Sequence, residues 1–441
     1  MTHSLIAVVH NWIYHGIVNH PIVPEPSIIH GEFWVRPQMQ IEADLQEYRT
    51  QYPVAFVPEP QMPEGSPIPQ GKGTWILTKH ADIAYASRNP DIFSSAQGMT
   101  ILDSPPEFNE FFSSMIAMDD PRHARLRRIV SKGFTPKMLS KLEDSVQEVA
   151  NSIINDVSEK GEIDFIVDVA AALPLKIVCD LMGIPSSYYQ EVFDCSNVIL
   201  GAGDSEYVPP GGDILSAILE AGITLQSIMN EVAESKIGID SEDLTSKLVN
   251  ADLEDDKLTS ADLASFFILL VVAGNETTRN AIGWGLKYLT DNPDQRKIWE
   301  SDFDAVAPTA VEEIVRLASP VTYMRRTTTQ DIVIREQEIK AGDKVCMFYL
   351  AANRDEEVFD DPYKFDVLRQ PNNHLGFGGP GPHFCLGAHL ARREITVMFR
   401  ELFRRLPDIE SCGEPDVLAA SFIHGVKHLP AKFTPTKPTK I

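Results

Sequence analysis

Two hydrophobic periods run along this chain. Apolar residues recur every three to four positions over Met138 to Ile153 and over Ser260 to Leu289, the spacing of helices packed against a core. The second segment opens on Thr259-x-x-Asp262, a capping-box spacing, and stops at Asn292-Pro293, which predicts one helix of about thirty residues. Its middle is apolar on every side, which places it at the protein's centre. A further helical pattern covers Ala388 to Leu402, whereas Thr74 to Leu77, Asp331 to Ile339 and Lys344 to Tyr349 read as short strands. Between them, Asn353 to Gly381 is rich in Asp, Pro and Gly with little period, a long coil of the kind that is usually functional. The pattern predicts a mainly α protein with small β-sheets, one large domain over 36–441. Residues 1–35, with Pro21, Pro24, Pro26 and no clear period, read as an N-terminal extension.

Composition narrows the function classes. With 441 residues, 43% of them hydrophobic, the chain can bury a large core. Lys and Arg number 39 against 63 Asp and Glu, a formal charge of -24, which argues against nucleic acid or an anionic membrane as partner. The five cysteines (Cys179, Cys195, Cys346, Cys385, Cys412) are odd in number and widely spaced, with no CxxC, so a reducing cytoplasmic setting fits better than a disulfide framework. Leu5 to Val9 is short for a signal-peptide core. The apolar run Phe266 to Ala273 falls well below the roughly 20 residues of a membrane span.

The sharpest chemical signal is Phe377-Gly378-Gly379-Pro380-Gly381-Pro382-His383-Phe384-Cys385-Leu386-Gly387, a glycine-rich loop that delivers one cysteine to a helix N-terminus. A helix N-terminus lowers a thiol's pKa, and glycines let backbone N–H groups approach the sulfur. Three blander readings compete on the residues alone. The thiol could be buried and inert; His374, His383, Cys385 and His389 could hold zinc, though without the paired spacing of structural zinc sites; the glycines could bind phosphate, though no Gly-Lys-Ser/Thr follows.

Taken with Glu313-x-x-Arg316 and Ala273-Gly274-x-Glu276-Thr277-Thr278, in this order along the chain, the loop resembles the signature set of the cytochrome P-450 family. The resemblance runs from about Trp75 onward and is strongest toward bacterial members that hydroxylate the terminal carbon of methyl-branched lipids. One departure is that Phe377 stands eight residues before Cys385, one more than in most of the family. Some lipid- and sterol-hydroxylating members share that extra residue.

The resemblance implies the P-450 fold with its long central helix over a haem (heme b), and Cys385 as the thiolate ligand of the iron, an electron-donating ligand that favours O–O cleavage. It implies haem contacts from Phe377, Gly381 and Ala273, and propionate contacts from His123, Arg127, Arg326 and His383. His123 and Arg127 are spaced i, i+4, on one helix face. Glu276 and Thr277 are implied as an acid and an alcohol that relay protons to reduced oxygen. Glu313 and Arg316, otherwise an ordinary helix ion pair, are implied to form a buried structural triad with Arg369.

The activity implied is insertion of one atom of O2 into a C–H bond of a hydrophobic substrate, as in terminal hydroxylation of a branched lipid, isoprenoid or sterol side chain. The expected pocket residues are Phe112, Met115, Ile116, Leu200, Leu269, Val321, Met324, Phe422 and Ile423, an apolar set suited to a greasy chain. Little chain follows Cys385, so electrons from NAD(P)H are expected through separate proteins, a ferredoxin and its reductase. They would dock near Arg125, Arg128, Lys132, Arg392 and Arg393. The alternatives are an H2O2-driven peroxygenase and a non-catalytic haem or lipid carrier.

Overall fold

A computed structural model describes residues 27–61, 68–133, 136–250 and 258–439. The first of these segments carries helices α1 (Gly31–Trp34) and α2 (Gln38–Gln51) and strand β1 (Val54–Val57); β2 (Thr74–Leu77), α3 (His80–Arg88) and β3 (Phe93–Ser94) follow. A helical half comes next: α4 (Pro106–Ser113), α5 (Arg122–Gly133), α6 (Pro136–Val157), the short β4 (Glu162–Asp164), α7 (Ala172–Met182), α8 (Tyr189–Gly201), α9 (Ile214–Lys236), α10 (Leu244–Val249) and α11 (Ser260–Asp291). Then α12 (Pro293–Ser301) and α13 (Phe303–Ala318) lead into β5 (Tyr323–Thr328), β6 (Ile332–Ile334), β7 (Gln337–Ile339), β8 (Lys344–Phe348) and α14 (Tyr349–Ala352). After the long coil stand α15 (Ala388–Arg405), β9 (Glu410–Ser411), β10 (Asp416–Val417), β11 (Val426–His428) and β12 (Pro430–Lys432).

The central helix is α11, and its start is set as the spacing predicts. The Thr259 hydroxyl accepts from Asp262 N–H (3.0 Å) while the Asp262 carboxylate accepts from Thr259 N–H (3.0 Å). By length and composition α11 could cross a membrane. Here it is packed among α4, α7, α8, α9, α13 and α15 in the largest hydrophobic cluster.

The main sheet runs β1-β2-β8-β5-β3, with β2 and β8 parallel and the other neighbours antiparallel. Its strand β5 escapes a hydrophobic-pattern reading because Arg325 and Arg326 interrupt the run, yet both are buried. Asp331 to Ile339 is a hairpin rather than one strand: Arg335 and Glu336 turn it with left-handed φ of 43° and 69°.

The boundary expected at residue 35 is corrected. Ile28, Phe33 and Trp34 are buried in a core cluster with Tyr323 and Phe348, Trp34 Nε1 donates to Ile28 O (3.0 Å), and its ring stacks on Phe348. Burial of two aromatic rings makes 27–35 part of the domain. The stretch Leu5 to Val9 and Pro21, Pro24 and Pro26 lie outside the described residues.

Candidate active site

The coil after α14 ends in the cysteine loop, which is closed by Cys385 N–H donating to Phe377 O (3.0 Å). Two glycines are required here by geometry. Gly378 has φ +85°, and a Cβ on Gly381 would meet the Ser87 carbonyl of α3 at 2.1 Å. The loop is fastened to α13 and α15 by Glu312, a residue the motif reading passed over because its neighbour Glu313 drew the attention. Glu312 accepts from Arg392 Nε (2.5 Å) and Nη2 (2.9 Å) and pairs with His374 Nε2 (3.0 Å), while the Arg392 guanidinium lies 4.4 Å from the centre of the Phe377 ring. Burial alone would raise the Glu312 carboxyl, but these partners outweigh it and hold it at about 2.

Cys385 has exposed surface although protein crowds its sulfur. Burial raises its pKa from the ordinary thiol value, and the Gly387 N–H, Arg127 and Arg392 only partly oppose this. The expectation that the helix start would lower the thiol's pKa is therefore corrected for the free thiol: desolvation wins.

Glu276 and Thr277, expected together as a proton relay, are held by different partners. Thr277 Oγ1 donates to Ala273 O (2.7 Å), the preceding turn of α11. Glu276 is buried in an ion pair with Arg279, which donates through Nη1 to Asn197 Oδ1 of α8 (2.9 Å). Burial raises the Glu276 carboxyl against the pull of Arg279, and its Oε1 has no partner. Neighbouring helix residues point about 100° apart, so the acid faces α8 while the alcohol does not. The two are not hydrogen-bonded to each other. Ala273 itself is exposed in the middle of the largely buried α11, with Leu270, Val272, Gly274 and Thr277 partly so, which leaves part of this helix uncovered by the described chain.

Four basic side chains, two from α5, one from β5 and one from the loop itself, gather near Cys385. The rings of His123 (α5) and His383 lie 4.2 Å apart, Arg127 Nη2 donates to Phe384 O (2.7 Å), and Arg326 (β5) is buried with Nη1 donating to Arg325 O (2.7 Å). Burial, Arg326, His123 and Arg127 together drive His383 down to about 3, and burial lowers His123 and Arg326 as well. Among the described residues no carboxylate pairs with Arg127 or Arg326, and the buried His123 Nε2 has no partner. Uncompensated buried cations are costly. Such a donor set, beside a thiol and an apolar helix face, fits a haem whose carboxylates supply the missing anions. Asp119, unremarked in the sequence, shapes this corner by accepting from Ser94 Oγ and Ser95 N–H, and Ser95 Oγ meets His383 Nε2 at 3.1 Å.

Glu313, Arg316 and Arg369 form a buried cluster. Glu313 accepts from Arg316 Nε (2.7 Å) and Nη2 (2.8 Å), Arg369 Nε (3.1 Å), Asp366 N–H (3.0 Å) and Asn372 Nδ2 (3.1 Å). Arg316 Nη1 also holds the Asn353 and Pro362 carbonyls, so this cluster braces the coil from Asn353 to Asn372.

The nine expected pocket residues divide. Phe112, Met115, Leu269 and Ile423 are buried, whereas Ile116, Leu200, Val321, Met324 and Phe422 keep some exposure. Val321 and Ile423 are joined by a β-bridge, and Phe422 packs edge-on against Tyr323 (5.4 Å). The expected docking residues are less free than the sequence suggests, since Arg392 is committed to Glu312. The Lys132 side chain lies outside the described residues.

Residues 221–407 match the cytochrome P-450 family profile. The chain is 47% identical over 419 residues to a methyl-branched lipid omega-hydroxylase of Mycobacterium tuberculosis, covering 94% of this chain and 96% of the relative. It is 37% identical over 396 residues to a steroid C26-monooxygenase of Mycolicibacterium smegmatis, covering 89% and 90%. A Mycobacterium marinum cytochrome P-450 solved in complex with pseudoionone superposes with a TM-score of 0.88 at 37% identity, over 95% of this chain and 100% of that one. Fold, cysteine loop and relatives agree: this chain belongs to the cytochrome P-450 family of haem monooxygenases.

Proposed function

We propose that Cys385 ligates the haem iron and that the enzyme hydroxylates the terminal carbon of a methyl-branched lipid, isoprenoid or sterol side chain. The observation that carries the site is the cluster of His123, Arg127, Arg326 and His383 beside the Cys385 loop, in which neither arginine is paired with a carboxylate among the described residues and the buried His123 Nε2 has no partner. These four would bind the haem carboxylates, and Phe377, Gly381 and Ala273 would border the macrocycle. Haem held through a thiolate supplies activation of O2 and oxygen transfer to a C–H bond.

The chain's own residues bind, orient and move protons around that chemistry. Thr277 Oγ1 carries a proton on the pocket face of α11, and Glu276, with its carboxyl pushed up and one oxygen unpartnered, is a buried proton reserve one residue away. Residues of α4, α8, α11, β5 and the 421–423 segment supply an apolar wall that excludes water. Terminal methyl hydrogens are harder to abstract than internal ones, so this wall must hold a chain end and keep neighbouring carbons away. The identity to a methyl-branched lipid omega-hydroxylase supports that substrate class. Electrons would come from NAD(P)H through a ferredoxin and its reductase in the cytoplasm, docking near Arg125, Arg128 and Arg393.

Two measurements test this reading. Reduced protein with CO should show the red-shifted absorption of a thiolate-ligated haem, and Cys385→Ala should abolish it; loss on changing another cysteine instead refutes the ligand. Product analysis should show terminal hydroxylation of branched chains exceeding that of straight chains of equal length. Mainly mid-chain oxidation refutes the substrate class and leaves the ligand standing.

A further inference from the structure

Between α8 and α9 the chain folds back on itself. Gly201 makes this possible, because a Cβ there would meet the Tyr207 ring at 2.3 Å. The returning loop brings Asp204 and Glu206 against the β10–β11 hairpin, where one ammonium collects three carboxylates. Lys427 Nζ lies 3.2 Å from Asp204 Oδ2, 3.2 Å from Glu206 Oε2 and 3.5 Å from Asp416 Oδ2, with the lysine side chain 10% exposed and Asp204 6%. Asp204 also accepts from Ala419 N–H (3.1 Å) on the hairpin's first limb. Next along β11, His428 Nδ1 meets Asp164 Oδ2 (2.5 Å) and its Nε2 meets Glu206 Oε1 (3.1 Å).

The tip of this hairpin carries Phe422 and Ile423, and its two limbs are held differently. The second limb is anchored to the core without Lys427: Val426 N–H donates to Asn280 Oδ1 (2.9 Å), Trp284 Nε1 to His424 O (3.2 Å), and His424 Nδ1 meets Ala318 O (2.7 Å). The first limb, Asp416 to Ala420, meets the α8–α9 loop through Asp204 and Lys427. α8 in turn carries Leu200. One lysine therefore fastens together two segments that bear expected pocket residues.

We propose that Lys427 is the positioning residue of the pocket's outer wall, clasping the α8–α9 loop to the hairpin of Phe422 and Ile423 and thereby fixing which carbon of the substrate is presented. The inference rests on the substrate reading above and adds to it a residue outside the pocket. Without the ammonium, the buried Asp204 faces the exposed Glu206 and Asp416 as like charges, and the loop is repelled from the first limb. Arginine would keep the charge and reach all three carboxylates.

The test uses the haem-loaded protein in wild-type, Lys427→Met and Lys427→Arg forms. Hydrogen–deuterium exchange should quicken roughly tenfold in Lys427→Met over residues 201–208 and 416–420, stay unchanged over 423–428, and return to wild-type rates in Lys427→Arg. With a methyl-branched fatty acid as probe, Lys427→Met should spread oxidation from the terminal carbon to its neighbours, and Lys427→Arg should restore the wild-type distribution. Faster exchange with an unaltered product distribution makes Lys427 a structural tie only and overturns the proposal, as does unaltered exchange. If wild-type protein oxidises the probe elsewhere, the substrate class fails; the clasp then stands or falls on whether that wild-type distribution shifts in Lys427→Met and returns in Lys427→Arg.

Discussion

Replacing Glu313 with glutamine changes few atoms and should cost the fold more than almost any other isosteric substitution. The carboxylate receives five hydrogen bonds and offsets two guanidiniums, and neither it nor Arg316 has any solvent exposure. In Glu313→Gln the negative charge is gone, so Arg316 and Arg369 are left as two buried cations in contact. One former acceptor becomes an NH2 group, which points a donor at donors: Arg316 Nη2, Arg369 Nε and Asp366 N–H on one side, or Arg316 Nε and Asn372 Nδ2 on the other. Breaking a buried pair by removing one partner costs about 3–5 kcal/mol, a large part of the roughly 5–15 kcal/mol by which a domain is stable. The same change one residue earlier is the control. Glu312→Gln also loses two basic partners, but at 23% exposure, with water at hand, it should cost less, at most about 3 kcal/mol, the equivalent of its carboxyl's shift from 4.5 to about 2. Urea unfolding followed by circular dichroism would compare the two variants with wild type. If Glu313→Gln and Glu312→Gln lose the same stability, burial is not what gives the Glu313 cluster its weight, and the argument fails.

Further expectations concern protons. Burial pushes the Glu394 carboxyl up to about 8, the Thr278 hydroxyl only partly opposing it. The folded chain therefore keeps a proton that the unfolded chain releases above 4.5, stability falls as pH rises from 4.5 to about 8 by at most about 1.4 kcal/mol per pH unit, and Glu394→Gln should flatten that slope in melting curves. His424 behaves in the opposite sense: burial takes it down to about 4 despite the Ala318 carbonyl, so stability is lost as pH falls from 6.5 toward 4, and a His424 variant unfolding with the wild-type acid profile would count against this. Thr277→Ala should bind haem and substrate but divert NAD(P)H electrons to peroxide; unchanged coupling of electrons to product would remove Thr277 from proton handling.

How much of this was legible in the sequence depends on whether the information is local. The ends of α11 are written in Thr259, Asp262 and Pro293, because a cap and a proline act within one turn. The cysteine loop is legible for the same reason, since Gly381 yields to a neighbour's backbone wherever that neighbour comes from. Glu313-x-x-Arg316 gives the pair, but only the fold brings Asp366, Arg369 and Asn372 to the same carboxylate. Glu312 is illegible, since its partners His374 and Arg392 lie 62 and 80 residues away. The surroundings of Glu276 are illegible for a related reason. The motif places it beside Thr277, and the partner that turns it away, Arg279, is itself steered by Asn197 of another helix. The strand β5 is hidden because two buried arginines break its apolar pattern.

Those arginines point to a division within the core. A chain with a formal charge of -24 nonetheless buries many basic side chains, and two of these places contrast. At Glu313 the chain supplies its own anion, the cluster is complete in sequence and geometry, and its work is to hold the coil that delivers Cys385. In the second cluster, of His123, Arg127, Arg326 and His383, Asp120 reaches only His123 Nδ1 (3.3 Å), the described chain pairs no carboxylate with Arg127 or Arg326, and burial first, then Arg326, His123 and Arg127, drive His383 low. A buried Arg326 without a paired carboxylate is a standing cost to the fold, and a site optimised for stability alone would have placed an acid against it. An acid of the chain's own would also repel the carboxylates of a bound haem. Leaving the charge unmatched makes the folded chain and an anionic ligand mutually stabilising through linkage. The first cluster therefore serves the architecture, and the second, set beside the cysteine loop, would serve recognition on the proposed reading.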